Sequence, residues 1–336
     1  MLERFDQRLR GIPPQALHAL VFRMTEVEAF RGWWDGIRKP AGPLGKRVLA
    51  SVAADSAAES TRIAPGAHPS EETGYAETLR AVFAGYPDMS DGEGRILALH
   101  AGIFRHSPAG RHQAGRYKTS TAIDGMTARR WDLEPVALRE PGPLLVPAQM
   151  ETLSAWFDSR IGGAEFHPLL VVAAYLLEFL AIRPFSDGNR RTGRLLANLL
   201  LLRCGHACLP YASLDKAVIA NWSEYYLALR KSQAVRNLPR PDISPWLLAF
   251  LDALRAQQRE ARETLDRLPD EALLSGNQAR VLAIAARDGE VTNRKAAAEV
   301  GIPRETAKQT LNRLVLLGAL RRAGAGRATR YRPPEG

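Results

Sequence analysis

Ile182-Arg183-Pro184-Phe185-Ser186-Asp187-Gly188-Asn189-Arg190-Arg191-Thr192-Gly193-Arg194 is the stretch on which the fold turns. An apolar run from Leu169 to Ile182 leads into it, and a second, Leu195 to Leu202, leads out. A polar glycine turn feeding a helix presents backbone N–H groups and the positive end of the helix dipole to an anion. Arginines crowd the turn, and Asp187 supplies one carboxylate, enough to share a magnesium ion with phosphate oxygens. These residues describe a site for a magnesium-bound polyphosphate. They also describe a turn between core helices with solvated arginines, which for a generic Gly-Asn turn is the commoner case, and residue chemistry alone leaves both readings open.

Outward from this segment, composition narrows the class. The chain has 336 residues, enough for one large core and a smaller one, so two domains are expected. Apolar residues make up 46% and charged residues 24%, the balance of a soluble globular protein. The longest greasy run carries Glu178 and falls short of a membrane span. The charged start, Met1-Leu2-Glu3-Arg4-Phe5-Asp6, has no apolar signal core. Cys204 and Cys208 are too few for a disulfide framework and lack partners at zinc spacing, so they read as core residues. A cytoplasmic location is the expectation, without membrane contact. The formal charge is +10, and residues 270–336 hold 12 Arg and Lys against 7 Asp and Glu, about half of that excess. The excess suggests a polyanion partner for the C-terminal segment, although an arginine-rich proteome gives similar totals without one.

Along the chain, residues 1–55 read as helices with Trp33 and Trp34 inside, broken at Pro13-Pro14 and at Lys39-Pro40-Ala41-Gly42-Pro43. Ser56 to Glu72 is polar, with any helix ending near Ile63. Helical periodicity returns over Tyr75 to Phe83 and Glu93 to Phe104. From Gly115 to Pro147, turn residues and short alternations predict a hairpin with Asp124-Gly125 at its tip. Helices are predicted over Pro147–Phe157, His167–Ile182, Thr192–Arg203, Trp222–Ser232 and Pro245–Leu265. The boundaries drawn are 1–90, 91–265 and 270–336, with a linker near Arg267-Leu268-Pro269-Asp270.

The central segment resembles the Fic motif, His-x-Phe-x-Asp/Glu-Gly-Asn-Gly-Arg-x-x-Arg. Phe185, Asp187, Gly188, Asn189, Arg191 and Arg194 match it in order and spacing. Gly115-x-Tyr117-Lys118, His167-Pro168, Leu209-Pro210-Tyr211-x-Ser213-Leu214 and Tyr225-Tyr226-Leu227-Ala228-Leu229-Arg230 also look like the family, in a subgroup that ends in a winged helix. The resemblance implies a mainly α fold: a Fic-type helical core with a β-hairpin flap, plus a small α/β winged-helix domain. It implies a site that moves AMP from ATP to a protein hydroxyl on Tyr, Ser or Thr. On that analogy Asp187 holds Mg2+, the backbone at Gly188 and Asn189 cradles phosphates, and Arg191 and Arg194 contact the outer ones, with Arg190 beside them. The segment from Lys118 to Pro147 resembles the flap that pins the target chain.

Two departures stand out. Arg183 occupies the place of the histidine that takes the proton from the attacking hydroxyl. Arginine has no acceptor lone pair and a pKa above 12, so it is no base. Losing a positioned base costs about two to four orders of magnitude in rate. Of the seven histidines, His112 lies nearest the flap in sequence, and a rescue from there is disfavoured. An arginine at 183 adds instead a cation against phosphates, while Arg190, where the family has glycine, reads as pointing to solvent. Upstream, Ser60-Thr61-Arg62-Ile63-Ala64-Pro65 resembles the family's N-terminal inhibitory element with alanine at the glutamate's place. Glu59 is out of position to replace it. The base and the brake are missing together, which suits a protein that binds a nucleotide and has lost efficient transfer. The alternatives are an active adenylyltransferase with an unusual site, and transfer of another phosphoryl-type group.

Gly276 to Pro333 has the pattern of a winged helix: a helix through Val281, Leu282, Ile284 and Ala285, a second over Thr292 to Val300, and a third from Thr306 to Leu317. Two short strands follow around the glycine turn of Arg321 to Tyr331. Arg304, Lys308, Gln309, Asn312 and Arg313 on the third helix, with Arg327 and Arg330 in the wing, are the expected DNA contacts, cations on phosphate and amides on base edges. A module used for protein contacts alone remains the other reading. Paired half-sites suit a homodimer.

Overall fold

The computed structural model describes residues 3–37, 39–40, 42–64, 67–89, 92–120, 141–239, 241–268, 273–324, 326 and 329–334. The described helices are α1 (Glu3–Arg10), α2 (Pro14–Gly36), α3 (Gly42–Arg62), α4 (Pro69–Gly85), α5 (Glu93–Ile103), α6 (Val146–Arg160), α7 (Pro168–Ile182), α8 (Asn189–Arg203), α9 (Leu214–Ala220), α10 (Trp222–Val235), α11 (Ser244–Asp266), α12 (Gly276–Asp288), α13 (Asn293–Val300) and α14 (Arg304–Leu316). The described strands are β1 (Arg321–Ala323) and β2 (Arg330–Arg332). The fold is mainly α with one small sheet, as expected. The predicted flap falls largely on residues 121–140, outside the described residues.

Contacts divide the chain into two compact units, one of residues 1–31 and 52–261, the other of 32–51 and 262–336. In the first unit α7 lies between α6 and α8. Its residues are apolar nearly all round and buried, as suits a helix with no solvent face. Glu178 is the exception in this run, buried among apolar neighbours. It forms an ion pair with Arg8 of α1 and another with Arg236 at 3.3 Å. Removing either partner of such a buried group is costly, about 3–5 kcal/mol. Asp6, also in α1, accepts hydrogen bonds from Trp156 Nε1 and Arg160 Nε at 2.9 Å each, which fastens α1 to α6.

Capping explains helix starts that periodicity missed. α4 begins at Pro69, well before Tyr75, because His68 Nδ1 accepts the Ser70 N–H and proline suits the first helical position. α8 begins at Asn189 rather than Thr192 because Gly188 adopts the left-handed conformation that starts it. Seven residues, Leu214–Ala220, form α9, capped by Ser213 on the Lys216 N–H, where no helix was expected.

In the second unit, α12, α13 and α14 enclose Val281, Ala285, Ala296, Val300, Ala307, Leu311 and Leu314. Ser275 and Gln278 form a capping box at the head of α12, Thr292 caps α13, and left-handed Gly289 and Gly301 end those helices. β1 and β2 pair antiparallel with Arg322 opposite Tyr331. Val291 exchanges both backbone hydrogen bonds with Tyr331, at 2.8 and 2.9 Å, adding a third short extended segment. Trp34 is buried, whereas Trp33, expected inside, is 37% exposed with the Arg262 guanidinium 4.9 Å from its ring. Indole surface is tolerated outside when a cation covers its face.

Leu311 is fully buried in the second unit's core. Leu311→Ala is expected to lower stability by about 2–5 kcal/mol, measured as a shift of the urea midpoint at unchanged slope.

Candidate functional site

Helix α7 ends because Pro184 cannot continue it, and the residue before a proline is barred from ordinary helical geometry. Arg183 closes the helix in the left-handed conformation (φ 50°, ψ 65°), its N–H donating to Phe179 O at 3.0 Å. It is the one non-glycine residue with positive φ among those described. Lys118 N–H donates to Pro184 O at 2.8 Å, so the segment at Lys118 is tied to the turn.

The turn itself is held by Asn189. Its Oδ1 accepts the Phe185 N–H at 2.9 Å and its Nδ2 donates to Phe185 O at 2.7 Å. This side chain therefore shapes the loop. Phe185 is fully buried, stacked flat on His100 with centroids 3.7 Å apart. Gly188 has φ 75°, and a Cβ there would stand 2.8 Å from the Phe104 ring, so this position has room only for glycine. Thr192 N–H is the first to reach a helical acceptor, Gly188 O. The N–H groups of Asn189, Arg190 and Arg191 belong to the first turn of α8 and have no acceptor within it.

Arg183, Asp187, Gly188, Asn189, Arg190, Arg191 and Arg194 all line one cavity of about 380 Å3, with Ile63, Ala64 and Ala67 on another wall and Tyr226, Arg230 and Gln233 of α10 on a third. That volume lies in the range of small-ligand sites. The structure thus brings together every residue expected at the phosphate site. Ala64 lies where a longer side chain would enter the cavity.

The arginines behave differently from the expectation of ligand-facing cations. Arg191 is buried, donating to Glu71 Oε2 at 2.5 Å and to Asp187 Oδ2 at 3.2 Å, with its guanidinium 5.1 Å from the Phe104 ring. Arg194 is buried too: Nε donates to Asp215 Oδ1 at 2.5 Å and a terminal nitrogen to Ser60 Oγ. Asp215 also accepts from the Tyr75 hydroxyl at 2.8 Å. Burial works against the Arg194 charge, yet Asp215 beside it raises its pKa above the ordinary value. Arg190, expected to face solvent, lies 5.6 Å from the Tyr226 ring centroid, and Arg230 lies 5.8 Å from the same ring.

Magnesium was expected at Asp187. Asp187 Oδ1 accepts the Gly188 N–H at 2.5 Å and Oδ2 accepts from Arg191, so both oxygens are engaged. Among the described residues no three His, Cys, Asp or Glu side chains gather into a metal-ligand set. Each Asp187 oxygen accepts one hydrogen bond and the side chain stays 63% exposed, so the one carboxylate among the described residues of the cavity wall keeps lone pairs that would hold a magnesium ion shared with phosphate oxygens.

Glu71, Tyr75, His100, Asp215, Tyr226 and Arg230 belong to the site or its support without having been assigned a role in it from sequence. His112 is exposed and absent from the cavity wall. His100 Nδ1 accepts the Gly115 N–H at 2.9 Å, which leaves Nε2 to carry the proton and donate to Asp187 O at 3.1 Å. Burial pushes its pKa down to about 4, the Asp187 carbonyl opposing and Arg191 adding to the effect. Of the expected DNA contacts, Arg304, Lys308, Gln309 and Asn312 are exposed on α14, and Arg313 is half-buried. Arg330 sits 3.4 Å from Glu290, an acidic neighbour that sequence did not foresee, and Arg327 lies outside the described residues.

Residues 91–201 match the model of the Fic/DOC family, and the chain contains a Fic/DOC domain. Over 66 residues it is 41% identical to a protein named protein adenylyltransferase Fic from Aedes aegypti, covering 20% of this chain and 13% of the relative. A protein of the same name from Drosophila grimshawi is 34% identical over 84 residues, covering 25% and 17%. The chain thus spans less than a fifth of the length of these curated relatives. A crystal structure of a Fic family protein from Desulfovibrio desulfuricans G20 shares the fold, with a TM-score of 0.53 and 23% identity over 97% of both chains. The Fic-1 protein of C. elegans, residues 134–508, has a TM-score of 0.53 at 17% identity over 76% of this chain and 74% of that one.

His206, like His100, is buried and its pKa is held down to about 4 by burial, with Arg31 adding to the effect. An unfolded chain protonates such residues near pH 6.5, whereas the folded protein resists until about 4. The folded state therefore keeps their full advantage above about pH 6.5 and loses it as pH falls to about 4, on the order of 3 kcal/mol per histidine. Urea midpoints across this window should fall for the natural protein and fall less steeply for His100→Asn.

Proposed function

We propose that this chain is a Fic-fold binder of a nucleoside polyphosphate, such as ATP, in which AMP transfer is lost or strongly weakened, joined to a C-terminal winged helix that binds DNA. The observation carrying the first part is Arg183 on the cavity wall at the motif's histidine position. AMP transfer forms a bond from a protein hydroxyl to the α-phosphorus, breaks the bond to the β-phosphate oxygen, and must send the hydroxyl proton to a base. Arg183 has no lone pair to take it. Asp187 already accepts from the Gly188 N–H and Arg191, and His100 spends its acceptor nitrogen on Gly115. The groups that bind anions are retained: three first-turn N–H groups, the helix dipole and the arginines. The reading is of a nucleotide sensor whose target protein, if it keeps one, would enter beside the flap.

Incubation with ATP labelled on the α-phosphate tests this. The natural chain should take up no covalent label, while calorimetry detects ATP binding. Arg183→His is compatible with the local backbone, since histidine is among the residues enriched in the left-handed region. This variant should gain self-modification by about two to four orders of magnitude. Label on the natural protein that vanishes in Arg194→Ala would establish an active transferase instead.

For the second part, three helices followed by a hairpin support a winged helix, and Arg304, Lys308, Gln309 and Asn312 share the exposed face of α14. Gel-shift titrations with duplex DNA should show binding that weakens with salt. Lys308→Ala should weaken all duplexes alike and reduce the log–log salt slope by about 1. Gln309→Ala should relax preference at one base position by about 1–3 kcal/mol. No duplex retained at low salt would assign this domain to protein contacts.

A further inference from the structure

Residues 32–51 belong to the second unit, although the rest of that unit begins only at residue 262. Leu274 N–H donates to Lys39 O at 2.8 Å, which ties this segment to the chain entering α12. A Cβ at Gly42, where φ is 60°, would stand 2.5 Å from Leu317 O and 3.1 Å from Ala319 N. Only glycine allows that approach, so the start of α3 is seated against the C-terminal end of α14. The segment holds four basic residues, Arg38, Lys39, Lys46 and Arg47, and one acid, Asp35. Lys46 and Arg47 lie early in α3 and are exposed, and among the described residues no carboxylate pairs with either. Other cations of this unit are held: Arg287 by Glu299, Lys295 by Asp288, and Arg330 and Arg332 by Glu290.

We infer that Lys46 and Arg47 form a second phosphate-binding patch of the DNA surface, so that a duplex is held by residues from both ends of the chain. This inference rests on the DNA reading above and specifies what holds the duplex beyond the end of α14. α14 has 13 residues and is about 20 Å long, whereas the major groove is about 12 Å wide. A helix that enters the groove by its N-terminal half therefore runs on past the bases towards the bordering phosphates. The N-terminal half brings Arg304 and Lys308, both exposed. The C-terminal end closes on Leu316, 79% exposed, and Leu317, whose side chains offer nothing to a phosphate. The segment seated at that end supplies charge within the next turn. Lys46 and Arg47 follow Gly42 by about 6–8 Å along the axis of α3. Phosphate contacts of this kind set register and affinity and carry no sequence information.

Gel-shift titration of the full chain against salt, with duplexes of different sequence, tests this. Lys46→Ala combined with Arg47→Ala should weaken all duplexes alike and reduce the log–log salt slope by about 2, one for each phosphate released. Base preference should stay as it is, and the same pair changed to glutamate should deepen the loss. Should alanine lower the melting curve, Lys46→Gln with Arg47→Gln gives the same readout. Arg111, an exposed arginine of the first unit with no ion-pair partner among the described residues, controls for overall charge. Arg111→Ala should leave the slope unchanged. An unchanged slope in the double variant, or an equal fall in Arg111→Ala, would overturn the inference and leave DNA binding through α14 standing. No duplex retained by the natural chain at low salt would overturn both.

Discussion

The two hydrogen bonds between the Asn189 side chain and the backbone of Phe185 are the constraint on which the site depends. A turn that leaves N–H groups pointing into a cavity has no ladder of its own to keep its shape. The Asn189 amide supplies that ladder from within, closing the turn on the helix it opens. Phe185 is thereby pinned in the core against His100, and His100 in turn reaches both Gly115 and Asp187. The loop, the segment at Gly115 and the start of α8 thus share one set of contacts.

Around this turn the buried arginines are tied to distant helices. Arg191 joins α8 to α4 through Glu71, and Arg194 joins it to α9 through Asp215 and to α3 through Ser60. Guanidiniums so deep in a protein require carboxylate partners, because an unpaired buried charge costs several kcal/mol. The same partners fix the direction of each fork and temper the field it projects. Arg191 and Arg194 therefore hold the fold together from within the motif, while Arg190 and Arg230 pack against Tyr226 at the cavity wall.

How much of this was legible in the sequence follows from how local each interaction is. The turn, its glycine and the flanking helices were readable because their signals lie within thirteen consecutive residues. So was the exposed row on α14, which repeats at helical spacing. Glu71 was not readable, being 120 residues from Arg191, nor was Asp215, whose role depends on how α9 packs. An isolated acid in a polar stretch looks the same whether it is solvated or buried against a cation. The start of α4 was missed because a histidine cap followed by proline carries no periodicity. The association of residues 32–51 with the C-terminal segment likewise leaves no mark in composition.

Arg183 occupies a backbone conformation that few side chains accept without cost, on the order of 1 kcal/mol for a residue other than glycine. Glycine, asparagine, aspartate and histidine suit it best. The backbone opposes drift to β-branched residues and leaves the histidine within reach. The backbone that holds the arginine in place is thus one that a histidine side chain would also accept.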